Sequence, residues 1–172
     1  MPHPTYNGGV DRALNLLLYP SNLASPGRLV KIARSLSPLF SQTRIVGIDQ
    51  GGLPTDEAVA PTVHLTRIRG ASLGAPLGGV RVVGAWGARV YRRFARQRVA
   101  AVSAQNLFLL PLTHALARRT GAVFAYNAHE LETETVGSAG LRPRLQRVIE
   151  RHYIRRADVV LALIHLSEPT RL

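Results

Sequence analysis

Cysteine is absent from all 172 residues. That excludes a disulfide framework and any thiolate metal site, and it fits a reducing compartment. Lysine is nearly absent: of 22 basic residues only Lys31 is lysine. Acids are scarce, 10 against those 22, leaving a net charge of +12. Aromatic residues make up 6%, and no recognised module accompanies them, so the stacking platforms of a nucleic-acid binder are not expected. No run of roughly 18 or more apolar residues occurs, so nothing reads as a membrane span. The first dozen residues lack the basic and apolar regions of a signal peptide, and a cytoplasmic location is expected, with peripheral contact on the cytoplasmic face of the membrane as an extension of it. No G-x-S-x-G elbow is present, which sets aside Ser/His/Asp hydrolysis of that type.

What is present is a globular composition, 46% apolar, and enough length for one domain with a hydrophobic core. The basic excess has two readings. It suits an anionic partner such as an acidic membrane surface or a phosphorylated substrate. Being almost all arginine, in a chain rich in Ala, Gly, Leu, Pro and Val, it equally suits the coding bias of a GC-rich genome.

Along the chain, residues 1–12 are Pro/Gly-rich and read as a loose N-terminus. Residues 13–19 (ALNLLLY) form a first strand and 20–27 (PSNLASPG) the loop after it. Ser25 reads as an N-cap with Pro26 at the first helical position. The helix then runs to about Ser37, with Leu29, Ile32, Ala33 and Leu36 at helical spacing. Strands follow at 43–49 and 62–68, then a Gly/Pro-rich loop at 70–79. Residues 80–98 form a basic amphipathic helix. Its stripe is Val83, Trp86, Val90 and Phe94, with Arg81, Arg89, Arg92 and Arg96 on another face. A strand at 99–103 leads to Gln105 and Asn106, then a helix over 107–120 stopped by Gly121.

Residues 123–128 (VFAYNA) read as a buried, central strand of a parallel sheet. A helix over 141–157 turns Leu145, Val148, Ile149 and Tyr153 inward, and a last strand opens at Asp158. Strands alternating with helices predict an α/β fold: a doubly wound, mostly parallel, Rossmann-like sheet with helices on both faces.

In such sheets ligands sit outside the carboxyl ends of the strands, which is where His129 and Glu130 fall. His129 there is either a ligand contact that titrates near neutral pH or a loop histidine capping the next helix. Glu130, Glu132 and Glu134 alternate, a spacing that does not converge on one ion, so no metal is expected. The loop 21–27 is a candidate anion cradle, but it is not G-x-G-x-x-G, and a dinucleotide-dependent oxidoreductase is only a third reading. The 80–98 helix has two roles open, packing on the sheet or lying on an anionic membrane through Arg89, Arg92 and Arg96.

Three stretches resemble one family. They are YNAHELETE followed by IERHYIRRADVVLA, QNLFLLPLTHALARRTGA, and PGRLVKIARSL. Together they resemble the N-terminal, acceptor-side domain of GT-B-fold glycosyltransferases of the group 1 type, over most of residues 13–164. The resemblance implies a two-domain enzyme with its active site between two Rossmann-like halves. It needs no metal and no tightly bound cofactor, and its nucleotide-sugar donor is held mainly by the C-terminal half. It implies transfer, with retention, to a surface-polymer or lipid-linked acceptor. His129 matches the cleft histidine that contacts the donor sugar. Asn22, Ser25 and Gly27 match the loop near the donor phosphates, and Gln105, Asn106, Asn127 and Glu130 match substrate-side positions. Asn127 stands where Asp is usual, and Gln105–Asn106 where His-Asp or His-Asn is common.

The tail LIHLSEPTRL resembles a translated sequencing-library adapter. The expectation is therefore a domain over 13–164, a non-native tail over 165–172, an absent donor-binding domain, and a fragment inactive alone. The alternative from another class is a non-enzymatic Rossmann-like module that binds an anionic partner or membrane.

Overall fold

The computed structural model describes residues 13–70, 78–128 and 141–162; for 78–83, 141–147 and 162 it describes the backbone alone. In chain order the elements are β1 (Leu14–Leu18), α1 (Gly27–Leu36), β2 (Gln42–Asp49), β3 (Asp56–Ala60), β4 (Val63–Arg69), α2 (Gly78–Phe94), β5 (Val99–Ala104), α3 (Leu110–Thr120), β6 (Val123–Ala128), α4 (Leu141–Ile154) and β7 (Val159–Ala162). Short 3-10 turns occupy Ser37–Leu39 and Leu107–Leu109.

The strands form one seven-stranded sheet in the order β3-β4-β2-β1-β5-β6-β7. All pairings are parallel except β3 with β4. This is the expected α/β, doubly wound, Rossmann-like architecture. β1 is the middle strand, buried at every position, because its run LNLLL serves two apolar faces at once. Leu16 and Leu18 enter one core with Val46, Ile48 and Val102; Leu17 enters the other with Ile45 and Leu65.

The helices divide by the right-handed crossover rule. The path from β1 to β2 puts α1 on one face, where Leu29 and Ala33 pack. From β4 the chain returns across the sheet to β5 and then runs outward, which puts α2, α3 and α4 together on the other face. Trp86, Val90 and Phe94 of the expected stripe are almost fully buried there. Among the described residues no helix is long and apolar enough to cross a membrane.

Four expectations are corrected. Residues 123–128 form β6 as expected, but β6 is next to last in the sheet, and Val123 is 42% exposed. An extra strand, β3, pairs antiparallel outside β4; its Asp56 and Glu57, poor strand formers, sit at the sheet edge, where charge is tolerated. Ser25 does not cap α1. Val30 N–H donates to Pro26 O, so Pro26 holds the cap position and no side chain caps it. Val148 is exposed, because Ile149, Tyr153 and Ile154 carry the contact stripe of α4.

Candidate functional site

β1 and β5 are neighbours whose following helices lie on opposite faces. This is the topological switch point of the sheet, and a crevice opens at the carboxyl ends of such strands. A cavity of about 270 Å³ lies there, lined by Tyr19 and Leu107, by Ser25, Pro26, Arg28 and Leu29 at the start of α1, and by Gln105, Asn106, Tyr126 and Asn127.

Its floor is a chain of neutral amides. Asn127 Nδ2 donates to Gln105 Oε1 at 3.1 Å, Gln105 Nε2 to Ser103 Oγ at 2.9 Å, and Ser103 Oγ to Leu16 O at 3.5 Å. Asn127 and Gln105 are buried, and burial makes each satisfied bond a constraint on side-chain direction. Asn106 Oδ1 accepts from Phe108 N–H at 2.9 Å, capping the turn that leads into α3. At the rim stand Ser25 and Arg28, exposed on the first turn of α1 and just before it. The helix start is the positive end of its dipole, and Arg28 adds a full charge. The cleft therefore pairs a neutral hydrogen-bonding floor with a cationic rim.

The loop from β1 to α1 is held from below. Leu23 takes a left-handed φ of 56°, a strained state for a bulky residue, with its side chain buried. Gly47 of β2 makes the room: a Cβ there would stand 2.5 Å from Leu23 Cγ and from Ser21 O. Ser21 O instead accepts from Ile48 N–H at 2.7 Å. Paired in register with Gly47 is Arg67 of β4, only 4% exposed. Its Nε donates to Asn22 O at 2.8 Å, Nη2 to Leu23 O at 2.9 Å, and Nη1 to Pro54 O at 2.7 Å and to Glu57 Oε2 at 3.1 Å.

Of the residues singled out by sequence, Ser25, Gln105, Asn106 and Asn127 come together at the cleft. Asn22 turns its side chain to its own loop, accepting from Ala24 N–H at 3.1 Å. Gly27 begins α1 and lines a second cavity, of about 470 Å³, on the other side of the loop. Arg89 and Arg92 are exposed on α2, a different surface; the helix expected over 80–98 ends at Phe94, so Arg96 is exposed in the turn after it. His129, Glu130 and the tail 165–172 lie outside the described residues; Ala128 ends β6 just before them. Sequence reasoning missed Tyr19, Arg28 and Tyr126 at the cleft and Arg67 beneath it. A signal existed for Arg67: it continues the parity of Val63 and Leu65, an arginine at an inward position. No group of three or more metal-ligating side chains gathers among the described residues.

Exposed arginines crowd the face of α2, α3 and α4, and α1 on the other face adds exposed Arg28, Lys31 and Arg34. α2 and the turn after it present Arg89, Arg92, Arg93 and Arg96, α3 presents Arg118 and Arg119, and α4 and the turn after it present Arg151, Arg155 and Arg156. The ion pairs among the described residues lie instead on β2, β3 and β4: Arg44 with Asp56, His64 with Asp56, and Arg67 with Glu57.

No protein-family model matches the sequence, and no curated protein does. Solved structures share the fold. Sucrose-phosphate synthase from Thermosynechococcus elongatus superposes with a TM-score of 0.70 at 10% identity, covering 87% of this chain and 42% of that one. A second, twinned structure of that synthase gives 0.54 at 10% identity, covering 86% and 74%. Os79 from O. sativa, in complex with UDP, gives 0.55 at 16% identity, covering 86% and 45%. The chain spans less than half the length of the first synthase chain and of Os79.

Proposed function

We propose that this chain is the acceptor-side half of a nucleotide-sugar-dependent glycosyltransferase. The observation that carries the reading is the cleft at the switch point, where the amides of Gln105, Asn106 and Asn127 sit beside Arg28 and the start of α1. Neutral amides suit the hydroxyls of a sugar, since each offers a donor and an acceptor. A guanidinium at a helix start suits a diphosphate. The fold shared with sucrose-phosphate synthase and with the UDP complex of Os79 supports the same reading.

The full enzyme transfers a sugar, with retention, from a nucleotide-sugar donor to a hydroxyl of a surface-polymer or lipid-linked acceptor, in the cytoplasm or at its membrane face. His129 follows β6 at the cleft end of the sheet in sequence; it donates a hydrogen bond to charge developing as the donor bond breaks. This chain holds the acceptor side and contributes part of the donor phosphate contact; alone it does not turn over. The test is titration of the purified chain with UDP, followed by amide NMR. Shifts gathered at Ser25, Arg28, Gln105, Asn106 and Asn127 are expected. Arg28→Ala should weaken binding about tenfold or more, the loss of one charge-assisted hydrogen bond of about 1.5–3 kcal/mol. Shifts absent from that cluster would overturn the reading.

A second reading rests on the arginine layer of α2, α3 and α4, unmatched by carboxylates in the ion pairs of the described residues. In it the chain docks on an anionic membrane surface through Arg89, Arg92 and Arg96. It is compatible with the first reading as a means of reaching a lipid-linked acceptor, and it stands alone if the cleft binds nothing.

A further inference from the structure

We propose that Arg67 is a positioning residue for the cleft: it locks the loop between β1 and α1 into the shape that presents Ser25 and Arg28 to a ligand. The inference rests on the nucleotide-sugar reading for the identity of that ligand, a nucleoside diphosphate, but not for the lock itself.

Three observations converge on the lock. The loop contains a strained residue, Leu23 at φ 56°, and such strain persists only where the surroundings over-determine it. The carbonyls on either side of the Leu23 N–Cα unit, those of Asn22 and Leu23, are both held by one guanidinium. That guanidinium is anchored at its far end by Pro54 O and Glu57, so the loop is tied to β4, which carries Arg67, to β3 and to the turn before β3. Gly47, beside Arg67 in register, leaves the space into which Leu23 and Ser21 descend.

A lysine cannot substitute. Its single nitrogen lacks the planar fork that reaches Asn22 O, Leu23 O and Pro54 O from three different nitrogens. Nor is the cluster explained by neutralising a carboxylate, since three of the four bonds go to backbone carbonyls.

The test compares Arg67→Lys and Arg67→Met with the native chain, by hydrogen exchange and by titration with UDP. Arg44→Met is the control: Arg44 is similarly engaged on the opposite face of the same strands, with Asp56 and Thr66, and does not touch the loop. Expected for both Arg67 variants is amide exchange at least tenfold faster over 21–28, with β1, β2 and β5 still protected, and UDP affinity reduced at least tenfold. Arg44→Met should leave the loop's exchange and the UDP affinity at native levels. Native exchange in the loop, or acceleration spread evenly over the sheet, would overturn the proposal. So would failure of both Arg67 variants to fold, which would make Arg67 a folding residue. If the native chain binds no UDP, the functional reading fails, and loop exchange alone decides the role of Arg67.

Discussion

Gly47 is the residue on which the cleft's loop rests, and it does so by having no side chain. Its alanine variant would place a Cβ 2.5 Å from a backbone oxygen, Ser21 O, which cannot rotate away. Overpacking of this kind costs about 1–3 kcal/mol, and Gly47→Ala should lose that much in urea denaturation while also loosening residues 21–24. His114 makes a different prediction. Its ring sits against Phe124 and Tyr153, with centroids 5.8 and 5.4 Å away. Partial burial, then Arg118, Arg156 and His152, lower its pKa from the ordinary 6.5. The unfolded chain thus binds this proton more readily than the folded one. Stability is unaffected by His114 above about pH 6.5, falls as pH drops through its folded value, and then levels off. His114→Phe keeps an aromatic ring in place and should remove that step from a plot of denaturation midpoint against pH.

At the scale of elements, much of the fold was legible because periodicity carries it. Trp86, Val90 and Phe94 announced α2 by their spacing, and Gly121 marked the end of α3. The structure gives Gly121 a φ of 72°, with nothing within 4 Å of a built Cβ. Gly121→Ala should therefore cost only the left-handed backbone penalty, about 1–2 kcal/mol, by thermal denaturation, and Gly121→Asn less. Other elements were illegible for physical reasons. β3 is acidic and borders Pro61, so its strand character comes from pairing with β4 and not from its own composition. The stripe of α4 drifts by one position because Ile149, Tyr153 and Ile154 reach the core while Val148 sits on the flank. At the cleft, Gln105, Asn106 and Asn127 were readable only through the family resemblance; Gln105 and Asn106 follow β5, and Asn127 lies near the end of β6. Arg28 was not, because an arginine on a helix's first turn has no local mark that separates a site residue from a solvated one.

Strand order belongs to the whole molecule, and no local pattern states it. The run at 123–128 looked central because it is apolar, yet the long return from β4 to β5 hands the centre to β1. Charge layout is also a property of the whole. With α2, α3 and α4 on one face, their arginines add into one field, whereas the acids Asp56 and Glu57 are engaged at the β3 edge. Flotation with vesicles containing anionic lipid should capture the chain at low salt, and neutral vesicles should not. Replacing Arg89, Arg92 and Arg96 together by alanine should weaken partition about a hundredfold, at ~1 kcal/mol per residue. Equal capture by neutral vesicles would remove the second reading.

The seating of Leu23 over Gly47, under the grip of Arg67, also sorts positions for anyone seeking to change what the cleft accepts. Saturation libraries at Ser25 and Arg28 would sample new recognition chemistry on an intact frame. Libraries at positions 23, 47 and 67 would chiefly return clones whose cleft has lost its shape, so selection should begin at the rim and leave those three fixed.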